Sequence, residues 1–209
     1  MDNAISQTVS ATRSLLHVGC GPRGSVIPAP FNTAAWREIR LDIDVAVEPD
    51  IIGSMTDMSA VADASMDALY TSHTIEHLHA YDVPVSLAEI SRVLKADGFC
   101  VITCPDLQAA AEMVAQDKLL EVAYESPAGP ITPFDIIFSY RPFTLNNPFM
   151  WHRCGFTASV LGNELLSAGF PSVTVTRFRP GFALWAVAAK IPKSEDELAD
   201  FRRSYFPGC

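Results

Sequence analysis

Residues 14–24, Ser14-Leu15-Leu16-His17-Val18-Gly19-Cys20-Gly21-Pro22-Arg23-Gly24, join a short apolar run to three glycines spaced G-x-G-x-x-G. An apolar run that stops at glycine is the pattern of a buried parallel strand ending in a tight turn. Without a side chain at these glycines, the backbone can turn sharply and come within contact distance of a bound cofactor. Asp42 lies in a second candidate strand, Glu38 to Asp44, 18 positions after Gly24. That is near the separation of about 20 residues at which an acid accepts hydrogen bonds from ribose hydroxyls. A carboxylate suits a vicinal diol because its two oxygens can take both protons. Asp44, on the same strand face, competes for that role.

The rest of the chain alternates strand and helix. Asp50 to Gly53, Asp67 to Thr71 and Phe99 to Cys104 read as a third, fourth and fifth strand, the last entered by the turn pair Asp97-Gly98. Between the fourth and fifth, Val85, Leu87, Ile90, Val93 and Leu94 recur at helical spacing, which predicts a helix packed on the sheet. Parallel neighbours need such crossovers, and right-handed crossovers dictate a doubly wound layout. Pro28 and Pro30 predict an irregular loop over residues 25–35, where a helix would otherwise follow the glycine turn. After Pro105 a helical stretch is expected from Leu107 to Tyr124. Ser126 to Pro148, rich in proline and aromatic residues and without a period, reads as a loop or lid rather than sheet. A helix over Thr157 to Ala168 stops before Gly169, and Val173 to Arg179 with Ala183 to Lys190 read as an antiparallel hairpin around Pro180-Gly181. The tail after Lys193 is either a terminal helix or disordered. The expected fold is α/β: a Rossmann-like, doubly wound, mostly parallel sheet with a C-terminal antiparallel hairpin, residues 1–209 forming one domain.

With 49% hydrophobic and 19% charged residues, the 209-residue chain has the composition of a folded globular domain. Its net charge of −9 repels phosphate backbones and anionic lipid, which disfavours nucleic acid and membrane surfaces as partners. Arg177, Arg179, Arg202 and Arg203 come nearest to a basic patch and read as solvated. Five cysteines without a C-x-x-C argue against a disulfide framework or a zinc site, and no metal is expected. Met1 to Ser10 has no basic flank before an apolar run, and no stretch approaches the roughly 18 apolar residues of a membrane span, so a cytoplasmic location is expected.

Taken in order, LLHVGCGPRG, LDID, IIGSMTDMS, MDALYTSHTIEHL and ISRVLKADG before FCVITCPD resemble the class I S-adenosylmethionine-dependent methyltransferases, particularly the small type 11 group. The resemblance spans residues 14–106. It implies that Gly19, Cys20 and Gly21 contact the methionine moiety of S-adenosyl-L-methionine, that Asp42 binds ribose and that Ile43 packs on adenine. It further implies that Ser54, Met55 and Thr56 meet the adenine edge, and that Ser72 and His73 face the transferred methyl. Two positions depart from the family pattern: His17 and Ser54 stand where acids are usual. An NAD-dependent dehydrogenase uses the same glycine and acid logic, and a non-catalytic scaffold of the same fold is a second alternative. SHTIEHL and the terminal hairpin favour the methyltransferase, and the absence of G-K-[ST] after the loop argues against a nucleoside triphosphatase.

Methyl transfer from a sulfonium mainly requires an acceptor held in line at near-attack distance, with a base where the acceptor must lose a proton. His73 is the first candidate base and His152, in Met150-Trp151-His152-Arg153-Cys154-Gly155, the second; His77 beside Glu76 reads as an orienting residue. Residues 107–151, with Tyr124, Phe134, Phe138, Tyr140, Phe143, Phe149 and Trp151, read as an acceptor-binding insertion or cap, with a small apolar core or a homodimer contact as alternatives. The TSHT at the end of the fourth strand is not the Asn/Asp-Pro-Pro-Tyr of enzymes that methylate nucleobase or glutamine amino groups. A small-molecule acceptor is expected.

Overall fold

The computed structural model describes residues 12–145 and 147–207. The readings of Met1 to Ser10 and of Cys209 fall outside those residues. Five strands, β1 (Arg13–Val18), β2 (Trp36–Asp42), β3 (Ile51–Ile52), β4 (Met66–Ser72) and β5 (Leu94–Pro105), run parallel. Two more, β8 (Ser172–Phe178) and β9 (Ala183–Ala189), complete a seven-stranded sheet ordered β3-β2-β1-β4-β5-β9-β8. β9 runs antiparallel to both of its neighbours, β5 and β8, so the expected hairpin closes one end of the sheet. β6 (Tyr124–Ser126) and β7 (Gly129–Ile131) form a separate antiparallel pair. The helices are α1 (Val83–Val93), α2 (Leu107–Val114), α3 (Pro133–Phe138), α4 (Arg141–Thr144), α5 (Ala158–Ser167) and α6 (Glu195–Tyr205). This is the class I methyltransferase fold.

The two faces of the sheet are covered differently, for a reason visible in the sequence. On one face α1 and α5 bury Leu87, Ile90, Leu161 and Leu165 against Leu16, Leu69 and Ile102, as the helical spacing demands. On the other, the β1–β2 connection forms no α-helix, only a 3₁₀ turn at Ala29–Phe31 between its prolines. An aromatic layer fills that space: Phe31 packs edge-on to Trp36 and meets Tyr205 of α6 at 4.8 Å, and Phe99 meets Phe201 at 4.9 Å. The tail after Lys193 is thus a helix, started by a Ser194/Glu197 capping box, that covers the bare face. Among the described residues no helix is long and apolar enough to cross a membrane.

Two expectations are corrected. The helix predicted from Leu107 to Tyr124 ends at Val114, and Asp117 takes a left-handed conformation (φ 60°) just beyond it. The segment expected to hold no sheet contains the β6–β7 hairpin. There Ser126 Oγ donates to the Gly129 carbonyl (2.8 Å) and accepts from the Ala128 amide (3.1 Å), while Ile131 packs on Ala110 and Ile136. Its shortness hid it, because three-residue strands leave no measurable alternation.

Candidate active site

Two cavities adjoin at the carboxyl ends of the parallel strands, where an open α/β sheet leaves its crevice. The larger, about 690 Å3, lies over β1, β2 and β4 and holds Gly19, Gly21, Asp42, Ile43, Met55 and His73 in its wall. Ser54 and Thr56 line it as well. From the aromatic segment come Phe143, Phe149 and Met150, which also line it.

The glycine loop is shaped by its neighbours. Gly19 has φ +64°, and a methyl group there would stand 2.2 Å from Thr74 Oγ1, so only glycine lets the loop pass under residue 74. The Gly21 amide donates to Asp42 Oδ2 at 2.9 Å, and Asp42 Oδ1 accepts from the Asp44 amide at 2.9 Å. Each carboxylate oxygen keeps a further lone pair for a diol. Arg40, two residues before Asp42 and on the same strand face, donates to the Gly21 carbonyl and to the Glu48 carbonyl (2.8 Å). No sequence motif marks Arg40; its i−2 relation to Asp42 is the signal that points to it. Asp44 caps the turn at Val45–Val47 by accepting from the Ala46 amide (2.9 Å) and also accepts from Asn147 Nδ2 at 3.3 Å. That contact ties the aromatic segment to the end of β2.

Not every expected residue reaches this cavity. Cys20 is buried behind the loop, its Sγ directed at the Gly21 carbonyl, and burial pushes its thiol up to about 11. Ser72 turns toward Thr103, their hydroxyls 3.0 Å apart. His17 is a core residue whose Nδ1 lies 2.7 Å from Glu38 Oε1; burial lowers its pKa despite that carboxylate.

The smaller cavity, about 230 Å3, shares His73, His77, Phe143 and Met150 with the larger one and adds Glu76, Tyr124, Tyr140, His152 and Phe182. The chain turns sharply off β4 at His73, which holds the left-handed φ of 51° that non-glycine residues rarely adopt. A helical turn at Ile75–His77 follows, and it buries Glu76 to 1% exposure. His73 Nδ1 stands 3.3 Å from Glu76 Oε1. Desolvation works against charge on His73, but the Glu76 carboxylate outweighs it and raises the imidazole pKa. Desolvation likewise works against charge on Glu76, and its three histidine neighbours, His73 foremost, still hold the carboxyl below its ordinary range. Burial lowers the pKa of His152. The amides of Arg153 and Cys154 both donate to the Glu76 carbonyl (2.8 and 3.2 Å), which places His152 beside the turn 76 residues earlier in the chain.

The basic residues at the far end of the sheet are already neutralised. Arg177 pairs with Asp106 at 2.5 Å and Arg179 with Glu112 at 2.6 Å.

Comparison with known proteins agrees with this geometry. Residues 16–102 match the family model described as a methyltransferase domain. Among solved structures, the 1,6-didemethyltoxoflavin-N1-methyltransferase of Burkholderia thailandensis, solved with 1,6-didemethyltoxoflavin and S-adenosylhomocysteine, aligns with TM-score 0.54 and 18% identity over 86% of this chain and 72% of its own. A SAM-dependent methyltransferase from Archaeoglobus fulgidus aligns with TM-score 0.57 and 14% identity over 86% of each chain. A putative methyltransferase from Haloferax volcanii, solved in complex with the Trm112 methyltransferase activator, represents a third such structure (TM-score 0.54, 14% identity, 88% and 85% coverage). A sequence comparison with curated proteins returned no match. The fold expected from residues 14–106 therefore stands: it is that of the class I S-adenosylmethionine-dependent methyltransferases, and the methyltransferase-domain match runs from β1, through the glycine loop, into β5.

Proposed function

We propose that this chain methylates a small-molecule acceptor, with the larger cavity holding S-adenosylmethionine and the smaller one the acceptor. The observation that carries the reading is the junction of the two cavities at His73, whose strained turn off β4 presents one imidazole to both spaces.

The residues present fit the cofactor. The cleft is large enough for a nucleoside with an amino-acid tail, Gly19 and Gly21 leave backbone room, and Asp42 and Ile43 pair a diol acceptor with an apolar face. When bound, the cofactor supplies an electrophilic methyl on its sulfonium. Asp42 would hold the ribose, Met55 and Ile43 would offer apolar contacts to the base, and Phe143, Phe149 and Met150 would help keep water from the bound cofactor. His73, oriented by Glu76, takes the proton from an acceptor hydroxyl or amine, and His152 lines the acceptor pocket 4.0 Å from the same carboxylate. Residues 107–151 form the cap, contributing both cavity roofs. The ion pairs on Arg177 and Arg179 and the net charge of −9 both support a small acceptor over nucleic acid.

Isothermal titration with S-adenosylmethionine, S-adenosylhomocysteine and NAD tests the reading. Binding of the sulfur ligands at about micromolar Kd, with NAD silent, is expected, and it would justify a screen of small hydroxyl and amine acceptors by S-adenosylhomocysteine release. Binding without turnover of any acceptor would favour the scaffold; binding of NAD alone would favour the dehydrogenase.

A further inference from the structure

Glu76 is almost completely buried, and among the described residues neither of its carboxylate oxygens has a hydrogen-bond partner. Leaving a buried carboxylate without partners is expensive, so native proteins pair such groups with a proton donor or a cation. Of the surrounding histidines, His73 Nδ1 stands 3.3 Å from Oε1 without hydrogen-bond geometry, and the other two direct Nδ1 elsewhere. His77 Nδ1 lies 3.2 Å from the Trp151 carbonyl oxygen, and His152 Nδ1 lies 2.8 Å from the Ile136 carbonyl oxygen. A carbonyl oxygen only accepts, so in both rings Nδ1 carries the hydrogen, and in the neutral imidazole Nε2 keeps a lone pair. His152 Nε2 stands 4.0 Å from Glu76 Oε1, and the His77 and His152 rings lie 5.0 Å apart. One donor atom from each of Glu76, His77 and His152 falls within 4.8 Å of the others. Electron-pair donors of three side chains thus converge on one point.

We propose that Glu76, His77 and His152 form a binding site for a divalent transition-metal ion of the zinc class. Two imidazoles and one carboxylate are a borderline donor set that suits zinc, cobalt or iron and offers too few oxygens for calcium. Three protein ligands leave a fourth position open, here toward the smaller cavity. The Nδ1 contacts to carbonyls are the outer-shell partners that fix ring tautomer and orientation around a bound metal. Ligand bonds of about 2.0–2.2 Å put tetrahedral donors roughly 3.3 Å apart, so the side chains must draw in by about 1.5 Å at most. The hydrogen bonds from Arg153 and Cys154 to the Glu76 carbonyl hold the two segments in register while they do so. The cysteine count does not bear on a histidine–glutamate set, and spacing along the chain hides one whose members lie in two distant segments. The site does not rest on the methyltransferase reading, since metal binding is its readout.

Chelator-treated protein titrated with Co2+ should develop a visible d–d band that saturates at one equivalent and is displaced by Zn2+, and Zn2+ alone should raise the melting temperature. His152→Ala and His77→Ala should each weaken Co2+ binding by about tenfold or more while keeping the far-ultraviolet spectrum and a cooperative melt. His79→Ala, outside the cluster, should leave the band unchanged. A folded wild-type protein that gives no band, or a band that both cluster variants retain, would overturn the proposal.

Discussion

The backbone amide of Gly21 donates to Asp42 Oδ2 at 2.9 Å, and Arg40, on the same face of β2, takes the carbonyl of the same glycine. Both polar groups of one loop residue are therefore held by side chains of the neighbouring strand. The carboxylate proposed as the ribose anchor thus also sets the shape of the glycine loop.

Replacing Asp42 with Ala should accordingly weaken S-adenosylhomocysteine binding by about 1.5–3 kcal/mol, on the order of tenfold to a hundredfold. Asp44→Ala should cost less, because Asp44 serves the Val45–Val47 turn and Asn147. Isothermal titration of both variants decides it; an unchanged affinity in Asp42→Ala removes Asp42 from the site, and a loss confined to Asp44→Ala moves the anchor by two residues.

Gly19→Ala should destabilise the fold by about 1–3 kcal/mol, since it adds a left-handed alanine and a collision with Thr74 Oγ1. Pairing it with Thr74→Ser, which removes the methyl that a new Cβ would meet at 2.7 Å, should recover only part of the loss. Urea melts of the wild type, the single variant and the pair measure both effects, and full recovery in the pair would show that backbone strain contributes nothing.

His73→Asn preserves a residue type that tolerates positive φ while removing the proposed base. Once an acceptor is in hand, kcat should fall by about 10²–10⁴ with the S-adenosylhomocysteine affinity little changed. A variant that turns over normally would show that the acceptor needs no proton removed by His73.

Burial lowers the pKa of His17 below the usual 6.5 even with Glu38 alongside. The unfolded chain then takes up the proton first as pH falls, so the stability associated with neutral His17 is complete above about pH 6.5 and declines below it, by at most about 1.4 kcal/mol per pH unit, until the folded-state pKa is reached. His17→Gln should show a shallower decline between about pH 6.5 and 5 in paired urea melts. Equal slopes would mean that His17 binds its proton equally in both states.

The order of strands, the glycine turn and the acid on β2 were legible because each is a local pattern: apolar runs of strand length, a fixed glycine spacing, helical recurrence between strands. The prolines that cancel a helix between β1 and β2 were legible for the same reason. Residues 107–151 were not, because α2 stops at a left-handed Asp117 and the β6–β7 strands are three residues each, too short to carry a period. Aromatic content suggested a cap there; that Phe143 faces both cavities, or that Asn147 reaches Asp44, depends on how the segment folds back.

By itself, then, the sequence determined an α/β sheet with a glycine loop at the end of β1 and an acid on β2, since those follow from apolar runs, glycine spacing and helical recurrence along the chain. Tertiary structure alone decided that Arg40 clamps Gly21, that Cys20 and Ser72 turn away from the cleft, and that His152 meets Glu76 and His77. The physical reason is that the contacts of Arg40, Ser72 and His152 join segments from 19 to 76 residues apart, and the way a side chain such as Cys20 turns is set by packing and backbone hydrogen bonds that no local pattern records.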